Sequence, residues 1–140
     1  MSRLDHIDTY ENSLYKRLYE NMPTGFTSAQ LINTDLGTTQ TMSPPYLKQS
    51  TITTVRDNSS AGGLTSRTYL VHTIQILVDK DKGAEKRKVS SIAKEIMALF
   101  ENQYFDGLSC LEATPEKVGD EPGSNLFRYD ININLYFEGN

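Results

Sequence analysis

The chain has a single cysteine, only two histidines and no apolar run that approaches the length of a membrane span. With Cys110 alone, no intrachain disulfide can form and no all-cysteine metal cage can be built, so a reducing cytoplasm is the expected setting. Crossing a bilayer takes about 18 or more consecutive apolar residues, and Met1-Ser2-Arg3-Leu4-Asp5-His6 lacks the charged-then-apolar order of a signal sequence. A soluble, unexported protein is expected, and without a secretory route the acceptor-like Asn58-Ser59-Ser60 is a chance match. An excess of positive charge is missing as well. The 14 basic residues against 18 acidic ones leave a net charge of −4, so nothing draws in nucleic acid or anionic lipid at long range, and any such binding must be local.

The familiar catalytic constellations are just as scarce. A zinc site needs three or four ligands, whereas His6 and His72 stand in different segments without a Cys, Asp or Glu at metal spacing. His72, inside a strand pattern, is expected to be a hydrogen-bonded structural residue. Asp79-Lys80-Asp81-Lys82-Gly83 opens like a calcium loop but has its glycine one position early and Ser90 where the closing glutamate belongs, which makes it a solvated turn. Gly62-Gly63-Leu64-Thr65-Ser66 has no lysine after its glycines and opens no helix, so it is a hinge or loop tip and not a phosphate cradle. Neither a Gly-x-Ser-x-Gly elbow nor a histidine partner for Cys110 is present. The carboxylates stand mostly in polar stretches, as surface charges do. These absences point away from an enzyme and call for no cofactor and no metal; a small ligand-binding domain or an enzyme using a carboxylate pair stays open as a third reading.

What is there is periodicity. Leu4, Ile7, Tyr10, Leu14, Leu18 and Met22 recur at helical steps, with Ser2 and Asp5 placed to cap and Pro23 to terminate, which predicts a helix over about 3–21. Short strands are expected at Ala29 to Asn33 and at Tyr46 to Val55, the latter β-branched and preceded by Pro44-Pro45. Asp35 to Ser43 and Arg56 to Leu64 read as long exposed loops. Thr68 to Asp79 is apolar on both faces, which predicts a central strand with a helix on one side and a further layer or subunit on the other. Val89, Ile92, Ala93, Ile96, Leu99 and Phe100 predict a helix over about 84–103, with Gly107 as its terminator. A short strand at Leu108 to Ala113, a turn-rich stretch from Thr114 to Ser124, and a strand over Phe127 to Phe137 with strict alternation complete the chain. The sum is one α+β domain over 1–140: a mostly antiparallel sheet with two helices packed on one face, and long flexible loops.

Two surfaces invite functional readings. Lys86, Arg87 and Lys88 crowd the first turns of the second helix, where the helix dipole makes each cation cost about 0.3–1 kcal/mol. They either face solvent, neutralised by Asp79, Asp81 and Glu85, or contact an acidic neighbour or nucleic acid. Arg128, Asp130, Asn132 and Asn134 form a polar stripe on the wet side of the last strand, which is ordinary exposure or the hydrated inner wall of a ring.

The order of elements, with Pro44-Pro45-Tyr46-Leu47, the glycine-rich loop, the strand from Arg67 to Val78, the helix Ser91 to Phe100 and the alternating last strand, resembles the tail terminator, or tail completion, proteins of long-tailed bacteriophages. The likeness spans nearly the whole chain but rests on pattern, without a sharp chemical motif. It implies a structural virion protein that caps the tail tube as a hexameric ring, stops its polymerisation and forms the head-tail joining surface. Its partners would be further copies of itself, the tail tube protein and a head completion or connector protein, with DNA passing through the lumen unread and no membrane involved. Assembly would take place in the host cytoplasm and the final location would be the tail or neck of the virion. From this sequence alone, Tyr46, Arg56 and Arg67 beside the loops and Lys86, Arg87 and Lys88 on the helix are the expected subunit or tube contacts. A different neck or tube component, such as a head completion protein, is the alternative.

Overall fold

The computed structural model describes residues 3–33, 42–57 and 66–139, and the side chains within them except those of 3–8, 54–57, 66 and 139. The expected loops therefore fall largely outside the described residues, as do Ser2, Asn58-Ser59-Ser60, Gly62-Gly63 and the side chains of His6 and Arg56.

Alternation builds the sheet. The odd-numbered residues Phe127, Ile131, Ile133, Leu135 and Phe137 of β6 (Leu126–Gly139) are buried. β6 pairs antiparallel with β3 (Ser66–Asp79), whose buried Thr68, Leu70, His72, Ile74 and Val78 lie opposite that set in register, with buried Ile76 opposite the half-buried Tyr129. β3 pairs in turn with β2 (Tyr46–Asp57), and β2 runs parallel to the three-residue β1 (Leu31–Asn33). On the other side of β6 come β5 (Leu108–Asp120) and the two-residue β4 (Tyr104–Phe105). The order β1-β2-β3-β6-β5-β4 is antiparallel except at its first pair, and β3 is central, as its apolar run predicts.

Both helices cover one face of this sheet, giving the α+β fold. In α1 (Arg3–Glu20), Leu14 and Leu18 are fully buried and Tyr10 stacks on Phe137 with ring centroids 4.1 Å apart. In α2 (Gly83–Phe100), the stripe Val89, Ile92, Ala93, Ile96 and Phe100 enters the same core. Each fully buried Leu, Ile or Phe contributes about 1.5–3 kcal/mol. Arg17 ties the helices together: its Nε donates to the Leu99 carbonyl at 2.7 Å while the guanidinium sits 4.1 Å from the Phe105 ring centroid.

A chain of polar groups crosses the core. Gln49 Nε2 donates to Asn33 Oδ1 at 2.7 Å and to the Tyr15 carbonyl at 3.4 Å. A carbonyl can only accept, so the amide orientation is fixed and Gln49 Oε1 faces His72 Nε2 at 3.0 Å. That ring nitrogen must carry the proton, which leaves Nδ1 to accept from Thr51 Oγ1 at 2.8 Å. His72 is fully buried with both ring nitrogens bonded, the structural role expected of it.

Three expectations change. Gly107 does not end α2, which stops at Phe100; with φ +83 after Asp106 at φ +49, it forms the two-residue turn between β4 and β5. Two successive positive φ values make the turn whose twist suits a hairpin, and glycine meets that need without strain. The stretch from Thr114 is not a turn: β5 continues to Asp120, because β6 supplies a full ladder partner, with register shifts at Cys110/Ala113 and Lys117/Gly119 absorbing the irregular residues. The strand expected over 29–33 is shortened to Leu31–Asn33, since Ser28–Gln30 forms a 3-10 turn held by Gln30 Oε1 accepting from the Thr27 amide at 2.8 Å.

Candidate functional site

The side of the sheet away from the helices carries no covering layer among the described residues. On β3 it shows Tyr69, Val71, Thr73 and Gln75 half-buried, with Leu77 alone buried. The polar stripe of β6 lies beside them. Thr73 Oγ1 donates to Asn132 Oδ1 at 2.9 Å, and Asn134 Nδ2 donates to Glu112 Oε1 at 3.4 Å. Arg128 is held at both ends, its Nε and Nη2 on the Asp130 carboxylate at 3.0 and 3.1 Å and its Nη1 on Glu121 Oε1 at 3.1 Å. Burial works against the Arg128 charge, yet these bonds outweigh it and raise the pKa. Asp130 is buried, not wet as the alternation suggests, and burial pushes its pKa up even against the pull of Arg128.

Of the residues expected at the loop margins, Tyr46 and Arg67 lie at opposite ends of this same face. Tyr46 stands opposite Leu77, its pKa raised by burial and by the nearby Glu121 charge. Arg67 donates to Glu138 at 2.9 Å and lies over the Tyr136 ring at 4.6 Å; hydrogen bonds to Tyr69 and Glu138 raise its pKa. Arg56 pairs in the ladder with Thr68, and its side chain is outside the described set.

The two sheet edges are open over much of their length among the described residues. β1 covers β2 only at Leu47–Gln49, which leaves the β-branched run from Thr51 onward without an outer strand. β4 pairs with β5 at Leu108 and Ser109, and bonds from the Cys110 amide to the Gln103 carbonyl, from the Asn102 amide to the Leu111 carbonyl and from the Ala113 amide to the Glu101 carboxylate continue that cover, so the open part of β5 begins at Thr114. Among the described residues, the exposed large apolar side chains gather here, Ile52 on β2, Tyr104 on β4, and Leu111 and Val118 on β5, with only Tyr19 of α1 elsewhere.

The structure separates the basic cluster of α2. Lys88 borders a cleft with Thr24, Phe26, Pro45 and Ile92. Lys86 and Arg87 instead line a groove of about 430 Å³ shared with Lys117 of β5 and with Phe127 and Tyr129 of β6. The Lys86 ammonium is neutralised by Asp120 at 3.2 Å, not by Asp79, Asp81 or Glu85. Lys86 and Lys117 stand over one ring, 5.1 and 5.8 Å from the Phe127 centroid. Lys117, Phe127, Tyr129 and Asp120 are absent from the sequence-based site. Their only sequence signal is a lone lysine in an acidic, turn-like stretch; the register that sets Lys117 opposite Tyr129 brings them together.

Among the described residues, no group of three or more His, Cys, Asp or Glu side chains could hold a metal ion, and no helix is long and apolar enough to cross a membrane. Burial pushes the Cys110 thiol up to about 11, which suppresses the nucleophilic thiolate at neutral pH. Comparison with models of protein families finds no match, and comparison with curated proteins finds none.

Proposed function

We propose that the protein is a non-enzymatic structural subunit of a bacteriophage virion. In this reading six copies form a ring on the end of the tail tube, stop its polymerisation and offer the surface that joins the head. The carrying observation is the pair of sheet edges that are partly open among the described residues, unlike in sequence and bearing most of the exposed large apolar side chains described. Unlike edges favour head-to-tail contact, and head-to-tail contact that closes makes a ring. Among the described residues, the stretches of β2 from Thr51 and of β5 from Thr114 have no outer strand and supply the hydrogen bonds, and Ile52, Leu111 and Val118 supply apolar area.

The open sheet face supports a lumen lined by Arg128, Asp130, Asn132 and Asn134. Both arginines of this face are already paired, Arg128 with Glu121 and Asp130 and Arg67 with Glu138, which leaves Lys48, opposite Gln75, as its cation without an ion pair among the described residues. DNA affinity comes mainly from free Lys and Arg neutralising phosphates, so such a wall lets the polymer pass without holding it. The tail tube protein on one side and a head completion or connector protein on the other are the partners this role requires, with assembly in the host cytoplasm and residence in the virion neck.

Mass measurement in solution, with and without purified tail tubes, tests the reading. Six-fold rings, alone or on tubes, are expected. A strict monomer at every concentration and beside tubes would overturn it, and capping of portal-bearing heads in preference to tubes would transfer the role to a head completion protein.

A further inference from the structure

The groove between α2 and the β5–β6 ladder concentrates positive charge in a protein whose net charge is −4. Lys86, Arg87 and Lys117 converge on it, and among the described residues Asp120, bound to Lys86, is the only carboxylate within ion-pair distance of the three. Both ammonium groups stand against the Phe127 ring, 5.1 and 5.8 Å from its centroid, so an anion brought to that ring is attracted by each of them. The floor is apolar and aromatic, Phe127 and Tyr129 with Val89 beside them.

We propose that this groove is a docking site for an acidic segment of a partner protein. Its carboxylates meet Arg87 and Lys117 and displace Asp120 from Lys86, while an adjoining apolar side chain covers Phe127 and Tyr129. Asp120 serves as the resident stand-in for the ligand carboxylate. The inference is independent of the ring: a monomer has the complete groove.

A protein segment fits better than a nucleic acid. Three cations in a concave site with an apolar floor match two or three carboxylates flanking an aliphatic side chain. A phosphate backbone is a continuous run of charge, whereas the cations of this groove are confined to Lys86, Arg87 and Lys117 around an apolar floor. Arg87, exposed, supplies the fork geometry that takes a carboxylate through two bonds.

The chain contains no tryptophan, so a short glutamate- and leucine-rich peptide carrying one tryptophan can be followed by its own fluorescence. The full-length protein is expected to bind it, and to bind the version with glutamine in place of glutamate at least about tenfold more weakly at about 0.15 M salt. Arg87→Gln with Lys117→Gln should weaken binding about tenfold, whereas the same charge change at Lys16 and Lys94, exposed and outside the groove, should leave it unchanged. Asp120→Asn should tighten binding about two- to fivefold by freeing Lys86. The proposal is overturned by equal binding of the glutamine peptide, by an unaffected groove double variant, by duplex DNA displacing the peptide at equal or lower concentration, or by an Asp120→Asn protein that binds no better than wild type.

Discussion

Replacing Gln49 by methionine keeps the volume of the side chain and removes both its polar atoms. In the native core, Gln49 Oε1 accepts the proton of His72 Nε2, and Nε2 donates to Asn33 and Tyr15. Methionine leaves the His72 N–H facing a thioether in a fully buried site, and an orphaned buried donor costs about 1–3 kcal/mol. Unfolding entropy of roughly 2.1 cal/mol/K per residue gives about 0.29 kcal/mol/K for 140 residues, or about 3.4 °C per kcal/mol. Gln49→Met should therefore lower Tm by about 3–10 °C and shift the urea midpoint with the slope unchanged. The decisive comparison adds His72→Phe. Each single variant strands a partner, while the double variant removes both sides of the bond, so its loss should fall short of the sum of the two by about 1 kcal/mol or more. Calorimetry and urea unfolding of the four proteins measure this directly. Additivity within about 0.5 kcal/mol, or a Gln49→Met cost below that value, would refute the account of the buried chain.

Gly107→Ala must hold a side chain at φ +83 and brings the new Cβ to 3.2 Å from Tyr10 Cε1, so urea unfolding should show a loss of about 1–2 kcal/mol or more. Asp130 has its pKa raised in the fold, so its contribution to stability is largest below the ordinary carboxyl range and is lost as pH rises through the folded value. The stability of wild type relative to Asp130→Asn should accordingly be greatest near pH 3 and decline toward neutrality; a difference that grows with pH would contradict the burial argument. Cys110, with its thiol pushed up to about 11, should resist alkylation at pH 8 until the chain is unfolded in urea, and the stability due to the buried neutral thiol should fade between about pH 9 and 11. Rapid native labelling at pH 8 would refute it.

The elements that could be read from the chain alone were those whose burial repeats on a single period. The stripe from Val89 to Phe100 and the alternation from Phe127 to Phe137 each face one core, so their spacing carries their structure. β5 beyond Ala113 has no such pattern. Its Thr-Pro-Glu-Lys-Val-Gly composition imitates a turn, and its stability lies in backbone bonds to β6 that leave no mark on residue type. Gly107 misled for a related reason: a positive φ serves a hairpin as well as a helix end, and only the pairing of Phe105 with Leu108 decides between them. The same limit applied to the candidate sites. Lys86 and Arg87 were visible as a cluster, but Lys117 and Phe127 join them through strand register, and the burial of Asp130 follows from Arg128 and Glu121 closing around it.

The register shifts in β2 and β5 also bear on how the protein behaves when concentrated. Long, flat, unpaired strands recruit one another into fibrils, and each edge strand here is interrupted, at Thr53/Val55 on one side and at Cys110/Ala113 and Lys117/Gly119 on the other. Pro115 further removes an amide donor from β5. A contour kinked in this way makes a poor template for an arbitrary strand but can still accept one shaped to follow it. The subunit should therefore remain free of amyloid at concentrations where a straight edge of the same composition would seed it.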